Sequence, residues 1–113
     1  MAHMKRPRTY SAYSKEAAQL LGEQIGLARR ERRWSQKELA ERAGISPLTM
    51  AKVEHGDLSV NLGTAFELAS LVGVPLFHSE RPALSMDLDR TRARSALLPE
   101  RVRPRKEDLV DDF

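Results

Sequence analysis

The 113-residue sequence contains no cysteine, which excludes a disulfide framework and any metal site built from thiolates. It also contains no apolar run near the roughly 18 residues that span a membrane, and no signal peptide is recognisable. Aromatic residues make up only 5% of the chain, with a single tryptophan. From the lack of a membrane span and of a signal peptide we expect a soluble protein in the cytoplasm, without membrane attachment. A chain of this length has room for one core, so we also expect a single small domain.

Patterns that carry catalysis or bind metal are also missing from the sequence. The three histidines, His3, His55 and His78, have no carboxylate or second histidine at a spacing that forms a metal site or supports a general base. No Ser/His/Asp set, phosphate-binding glycine loop or pair of catalytic carboxylates can be identified. We expect a protein that is not an enzyme and that needs no cofactor or metal ion.

Positive charge is concentrated near the N-terminus. The formal net charge is +3, and three basic residues, Lys5, Arg6 and Arg8, precede a first predicted helix that is itself basic. Basic residues in this position can contact nucleic-acid phosphates. Residues 1–13 show no helical periodicity and predict a flexible arm, which either touches DNA or only aids solubility. Within this arm, residues 1–3 look like an expression scar.

The stretch Ser35–Gly56 predicts two short helices joined by a tight turn. A capping box of the form S-x-x-E begins at Ser35, and Gly44 is placed to end the first helix. Ser46 can cap the second helix, in which Pro47 takes the first position. Two helices joined by a glycine turn of this length form a helix-turn-helix, whose second helix can enter the major groove of DNA.

Further helices are predicted on both sides of this stretch. One runs from a cap at Ser14 to about Arg32, and another from a cap at Ser59 or Asn61 to Gly73. Gly22 and Gly26 favour helix formation poorly, and we expect them to allow close packing. The predicted core is formed by Leu21, Ile25, Leu39, Ala40, Ile45, Met50, Val53, Phe66, Ala69 and Val72.

A core of this size is marginal for a domain that folds alone. We therefore expect a homodimer, in which Leu71, Leu76 and Phe77 are shared with a second copy of the chain. Trp34 is expected to cover the core. Arg29 falls at the edge of the core face of the first helix, where an arginine needs a carboxylate partner.

Residues 79–113 differ in composition from the rest of the chain, with prolines, alternating arginines and an acidic end. Residues 85–98 predict a short helix, with a strand over 84–88 as the alternative, and little independent structure is expected beyond Pro99. The tail is either a solvated terminus or a segment that folds onto a partner. The second reading is favoured by its large apolar residues, which are Leu97, Leu98, Val102, Leu109, Val110 and Phe113.

Residues 34–77 resemble the XRE/Cro-type helix-turn-helix family through SQKELAERAGIS, the spacing of Thr49, Glu54 and Gly56, and LASLVGVPL. The resemblance implies an all-α, compact, five-helix, lambda-repressor-like domain over residues 14–78, with an extended C-terminal tail over 79–113. It also implies a homodimeric repressor on double-stranded DNA with an inverted-repeat operator, and hence a place in the nucleoid when bound.

Two shorter phrases, GTAFELASLVGVPLF and the ending DLVDDF, resemble the HipB-type antitoxins more specifically. Those antitoxins are encoded beside HipA-type serine/threonine kinases. This likeness implies a toxin–antitoxin pair, in which the protein holds a HipA-like kinase toxin and represses the operon they share. A stand-alone XRE-family regulator and a pure interaction module without DNA binding are the alternatives.

The family pattern assigns roles to individual residues. Gln36 matches a glutamine that binds a DNA phosphate, and a helix N-terminus favours an anion independently of the resemblance. Glu54 matches a buried glutamate that pairs with an arginine of the first helix, here Arg29. The residues expected to bind DNA are Gln36, Lys37, Ser46, Pro47, Leu48, Thr49, Lys52, His55 and Asn61.

Base recognition is expected from Pro47, Leu48 and Lys52. Leu48 can pack on a thymine methyl group, and Lys52 can donate hydrogen bonds to guanine. Many relatives carry glutamines where this chain has Pro47 and Leu48, and neither of these side chains can form a bidentate contact with adenine. More discrimination must then come from Lys52, from methyl contacts and from DNA shape.

Overall fold

The computed structural model describes residues 9–102 and 104, and within them it contains five α-helices and no β-strand. The chain divides into two compact units, Met1–His78 and Ser79–Phe113. The predicted all-α class with five helices is confirmed. The helices are α1 (Ala12–Glu31), α2 (Gln36–Ala43), α3 (Pro47–Glu54), α4 (Leu62–Val72) and α5 (Arg81–Ser95), of which only α5 lies in the second unit.

The caps predicted for α2 and α3 are confirmed. The amide of Glu38 donates to the Ser35 hydroxyl at 3.0 Å, and the Ser35 amide donates back to Glu38 at 3.3 Å. Gly44 ends α2 with a φ of 69°, a left-handed conformation that glycine adopts without steric cost. The Ser46 hydroxyl then accepts from the Thr49 amide at 3.1 Å. These contacts fix the turn between the two helices.

The prediction for the start of α1 is wrong by three residues. The N-cap is Ser11, whose hydroxyl accepts a hydrogen bond from the Ser14 amide at 3.2 Å, so Ser14 lies inside the first turn. Either serine suits a cap, and the polar segment before the apolar repeat offers no signal to choose between them. The last two residues of the predicted arm, Ala12 and Tyr13, therefore belong to α1, whereas residues 1–8 lie outside the described part.

The start of α4 and the position of α5 differ less from expectation. Asn61 rather than Ser59 caps α4, because its side-chain oxygen accepts from the Gly63 amide at 3.1 Å while Ser59 bonds to Asp57. The helix predicted over 85–98 is confirmed as α5, but it begins and ends earlier. The alternative strand over 84–88 is wrong. Proline is tolerated in the first turn of a helix, where Pro82 lies.

The core lies between α1, α2, α3 and α4. Seven of the ten predicted core residues are buried, and Leu21 and Ile45 pack partly buried against them. The face predicted for α4 is wrong by part of a turn, since Leu68, which was not among the predicted core residues, is fully buried. Phe66 is half-buried and packs edge-on against Phe77, with ring centroids 6.2 Å apart. Because the apolar residues of α4 spread over more than half of its circumference, its sequence is compatible with two overlapping buried faces.

Close packing of α1 against α3 depends on Gly22. A β-carbon at this position would lie 2.7 Å from the Glu54 carbonyl oxygen and would also contact the Val53 carbonyl. The expectation that this glycine permits close approach is confirmed. Trp34 packs partly buried against the core, as expected, with the Arg42 guanidinium 4.1 Å from its ring centroid. Among the described helices, none is long and apolar enough to cross a membrane.

Candidate nucleic-acid interface

The outer face of α3 carries four exposed side chains. Met50 and Val53 point into the core, and the opposite face presents Pro47, Leu48, Lys52 and His55 to solvent. Leu48 is 66% exposed. Residues at these spacings lie along one side of a helix. The helix therefore offers a continuous outer surface of mixed apolar and basic character.

A polar groove lies beside this surface, between α3 and the start of α4. Its lining includes the hydroxyl groups of Ser46 and Thr49, 2.9 Å apart, together with Lys52. On the other side lie Asn61 and the first turn of α4, where the helix dipole favours an anion. Four of the residues lining the groove, Ser46, Thr49, Lys52 and Asn61, were predicted to bind DNA, whereas Ser59 and Thr64 were not.

The N-terminus of α2 contributes Gln36 and Lys37. Lys37 is exposed, whereas Gln36 is half-buried and its side-chain amide donates to Glu54 Oε1 at 3.0 Å. The carboxylate of Glu54 thus holds in place the amide that the resemblance assigns to a phosphate. The structure brings Gln36 to the end of α3, while Asn61 stands at the groove on the other side of that helix.

Arg29 and Glu54 form a bidentate ion pair that links α1 to the end of α3. Arg29 Nε lies 2.7 Å from Glu54 Oε2, and Nη2 lies 3.1 Å from Oε1. A third donor, Nη1, bonds to the Trp34 carbonyl at 2.9 Å. The two side chains are only 10% and 11% exposed. One guanidinium therefore connects α1, the segment before α2 and α3.

The pKa of Glu54 reflects this environment. Burial alone raises the pKa of the Glu54 carboxyl, but the hydrogen bonds from Arg29 and Gln36 and the attraction of Arg29 and Arg30 lower it further than burial raises it. The net pKa is below the ordinary value. Glu54 is consequently ionised at neutral pH, as the ion pair requires.

Asp57 follows α3 in an exposed turn. Its carboxylate accepts hydrogen bonds from the Ser59 hydroxyl at 2.6 Å and from the Ser59 amide at 2.8 Å, which lower its pKa together with the nearby charge of Lys52. The sequence analysis gave no role to this aspartate. It orders the connection that leads to the groove.

The residues predicted to meet protein partners lie elsewhere. Leu71 and Leu76 are half-buried against the core, and Phe77 is 73% exposed. In the second unit the large apolar side chains of the tail are exposed, as expected for a surface that awaits a partner and equally for a solvated terminus. They are Leu97, Leu98 and Val102, whereas Leu109, Val110 and Phe113 lie outside the described residues.

Comparison with known proteins agrees with this geometry. Residues 25–78 match the model of a family described as helix-turn-helix, and the match includes the last third of α1 and all of α2, α3 and α4. No curated protein and no solved structure matches the chain. The resemblance to HipB-type antitoxins stays a prediction. Over residues 25–78, a little less than half of its length, the chain is therefore similar to this helix-turn-helix family.

Proposed function

We propose that the protein is a sequence-specific transcriptional repressor that places α3 in the major groove of DNA. The observation that carries this proposal is the exposed outer face of α3, which combines Leu48 and Lys52 on a helix fixed from behind by the core. The ion pair of Arg29 and Glu54 holds the C-terminal end of the same helix. A rigid helix with an exposed face is what direct readout of bases requires.

Base discrimination is assigned to Lys52 and Leu48. The Lys52 ammonium donates to the O6 and N7 atoms of guanine, and Leu48 packs on a thymine methyl group. Pro47 adds only van der Waals contact. With a single hydrogen-bonding side chain for bases on this face, much of the selectivity comes from DNA shape and deformability.

Phosphate contacts are assigned to two helix ends. Lys37, with Gln36, binds the backbone at the N-terminus of α2, and the groove beside Asn61 binds it at the start of α4. Ser46, Thr49 and His55 complete this set. Since phosphates carry no sequence information, these residues fix the register of α3 in the groove.

The repressor acts as a homodimer on an inverted repeat. Two α3 helices related by a two-fold axis reach successive major grooves about 34 Å apart. Leu71, Leu76 and Phe77 are assigned to the contact between the two copies. Doubling the interface doubles the number of base contacts that specify the operator.

Selection of binding sites from a random DNA library tests this function with the full-length protein. An enriched inverted repeat, whose binding weakens steeply with salt, is the expected result. Recovery of unrelated sequences, or binding that is insensitive to salt, would instead show that α3 does not read DNA. A pure interaction module would give no enrichment at all.

The second candidate is the more specific one, in which the protein is also the antitoxin of a HipA-type kinase. The observation in its favour is the second unit, whose helix α5 has no buried residue and is followed by exposed Leu97, Leu98 and Val102. A DNA-binding unit has no need of such a tail. A stand-alone regulator accounts for the helix-turn-helix equally well.

Co-expression with a HipA-type kinase encoded beside this gene separates the two. If the protein is an antitoxin, the full-length protein should copurify with the kinase and restore growth. Serine substitutions at Leu97, Leu98 and Val102 should then abolish both effects. Serine at Leu48 is the matched control, because it lies on the DNA face and leaves the kinase contact intact. Growth arrest that the wild-type protein cannot relieve contradicts the antitoxin function.

A further inference from the structure

The outward face of α1 carries a row of side chains with the spacing of a helix–helix seam. Tyr13, Ala17, Leu20, Gln24 and Leu27 follow one another at intervals of four, three, four and three residues. Three of them are large, and their exposed fractions are 83% for Tyr13, 55% for Leu20 and 53% for Leu27. Alternating intervals of four and three are the pattern by which two helices pack along their length. We call these five residues the α1 seam.

The two edges of the α1 seam differ in character. One edge is half-buried and turns towards the protein's own core through Ser14, Leu21 and Ala28. The other edge is exposed and charged, with Glu16, Glu23 and Arg30 at intervals of seven residues. Charges that border a seam in this way select the partner helix and its direction.

From this pattern we infer that the α1 seam is an interface with a second copy of the chain, in which the two α1 helices run antiparallel. In a parallel pair each charged edge would meet the half-buried edge of the other copy. In an antiparallel pair the two charged edges face each other. A two-fold axis perpendicular to the helices produces this arrangement, and every contact then occurs twice.

Charge and apolar contacts select one register. When Leu20 lies opposite Leu27 of the second copy, Glu16 comes beside Arg30 of that copy, and symmetry repeats both contacts. Only the two Glu23 carboxylates then face each other with like charge, close to the axis. A register centred on Leu20 would instead bring Glu16 beside Glu23 of the other copy twice.

The α1 seam is continuous with the homodimer contact proposed above, and the inference rests on that part of the proposed function. Tyr13 and Leu20 line a single groove together with Leu76 and Phe77, which were assigned to the second copy on other grounds. The interface thus extends from the turn after α4 along α1. It leaves the outer face of α3 unoccupied.

Sedimentation equilibrium of the full-length protein without DNA measures the dimer. The wild-type mass is expected to approach twice 12.8 kDa. Glu16→Gln should raise the dimer dissociation constant roughly fivefold, because two exposed ion pairs are lost. Glu23→Gln should lower it about twofold, because a repulsion is removed. The same substitution at two positions of the charged edge therefore has opposite effects on the dimer dissociation constant.

A double-mutant cycle tests the assigned pair. Arg30→Gln should weaken the dimer about as much as Glu16→Gln, and the double variant should be no weaker than either single one. Additive losses would show that Glu16 and Arg30 do not meet and would overturn the register. Circular dichroism of each variant verifies that the helices remain folded.

Crosslinking between introduced cysteines tests the α1 seam independently. The chain has no cysteine of its own that could react. A mixture of Leu20→Cys and Leu27→Cys proteins treated with a short bis-maleimide should give far more crosslinked dimer than either protein alone. Lys15→Cys, at an exposed position of α1 away from the seam, should give little. Equal crosslinking of all three, or none from the mixture, overturns the inference.

These experiments distinguish an error in the proposed dimer interface from an error in the proposed DNA-binding function. A wild-type monomer that still selects operator DNA overturns the α1 seam and leaves the repressor function standing. A dimer that follows the expected pattern at Glu16 and Glu23 but selects no DNA supports the seam and contradicts the repressor function.

Discussion

Lys52 is the exposed side chain of α3 best suited to distinguish one base pair from another. Lys52→Ala should cost about 1–3 kcal/mol of operator affinity and relax the preference at one position, since a guanine loses its donor. Lys37→Ala is the matched control: it should weaken all sequences alike and lower the salt slope by about one. Anisotropy titrations on the operator and on random DNA separate the two. If Lys52→Ala lowers the affinity for operator and for random DNA equally, Lys52 contacts a phosphate and not a base.

Arg33 lies between α1 and α2 with a φ of 60°, in the left-handed region that residues with a β-carbon adopt at a cost. Arg33→Gly should therefore raise the free energy of unfolding by about 1 kcal/mol. Arg32→Gly should lower it instead, because Arg32 has an ordinary φ of −83°, so glycine adds freedom to the unfolded chain and also removes the Arg32 hydrogen bond to the Ala28 carbonyl. Urea unfolding compares the two. A destabilised Arg33→Gly protein would mean that its side chain contributes more than the strain costs.

Gly22 lies where α1 packs closely against the end of α3. Gly22→Ala should destabilise the fold by about 1–3 kcal/mol, because the new methyl group would overlap the carbonyls of Val53 and Glu54 and push the helices apart. Gly63→Ala, in α4, provides the control. There a β-carbon meets only Asn61 Oδ1 at 3.6 Å, so alanine should stabilise by up to about 1 kcal/mol. Thermal melts give both values, and a neutral Gly22→Ala would show that α1 can move.

The elements that sequence reasoning predicted well are those with local chemical signals. The capping box at Ser35, the turn at Gly44 and the proline at Pro47 each act within a few residues, and the structure has them as expected. The start of α1 and the buried face of α4 were less well predicted. Two serines compete for the cap of α1. The apolar residues of α4 spread over more than half of its circumference, so tertiary packing decides that Leu68 rather than Phe66 is buried.

The candidate site could be predicted only in part for the same reason. The outer face of α3 follows from helical periodicity once Met50 and Val53 are placed in the core. The groove beside it depends on how α4 packs, so nothing in the sequence indicated that Ser59 and Thr64 line it. The role of Gln36 as a partner of Glu54 likewise appears only when two distant segments meet.

The folding stability of the whole molecule should depend on pH through Glu54. Its pKa is lower in the folded protein than in the unfolded chain, so the unfolded chain binds protons first as the pH falls. The stabilisation is fully present above the ordinary value of 4.5 and is lost as the pH falls through the lower, folded value. Asp57, whose pKa is also lowered, acts in the same direction.

Glu54→Gln isolates this contribution. At pH 7 the substitution should cost about 3–5 kcal/mol, because Arg29 stays buried without a counter-charge, and this is a large share of the 5–15 kcal/mol typical of domains. Urea unfolding between pH 7 and pH 3 should show that the difference in free energy of unfolding between wild type and Glu54→Gln becomes smaller as the pH falls. Glu67→Gln, at an exposed position of α4, should leave the wild-type profile unchanged. If this difference in free energy of unfolding stays constant between pH 7 and pH 3, groups other than the buried ion pair cause the acid sensitivity of the fold.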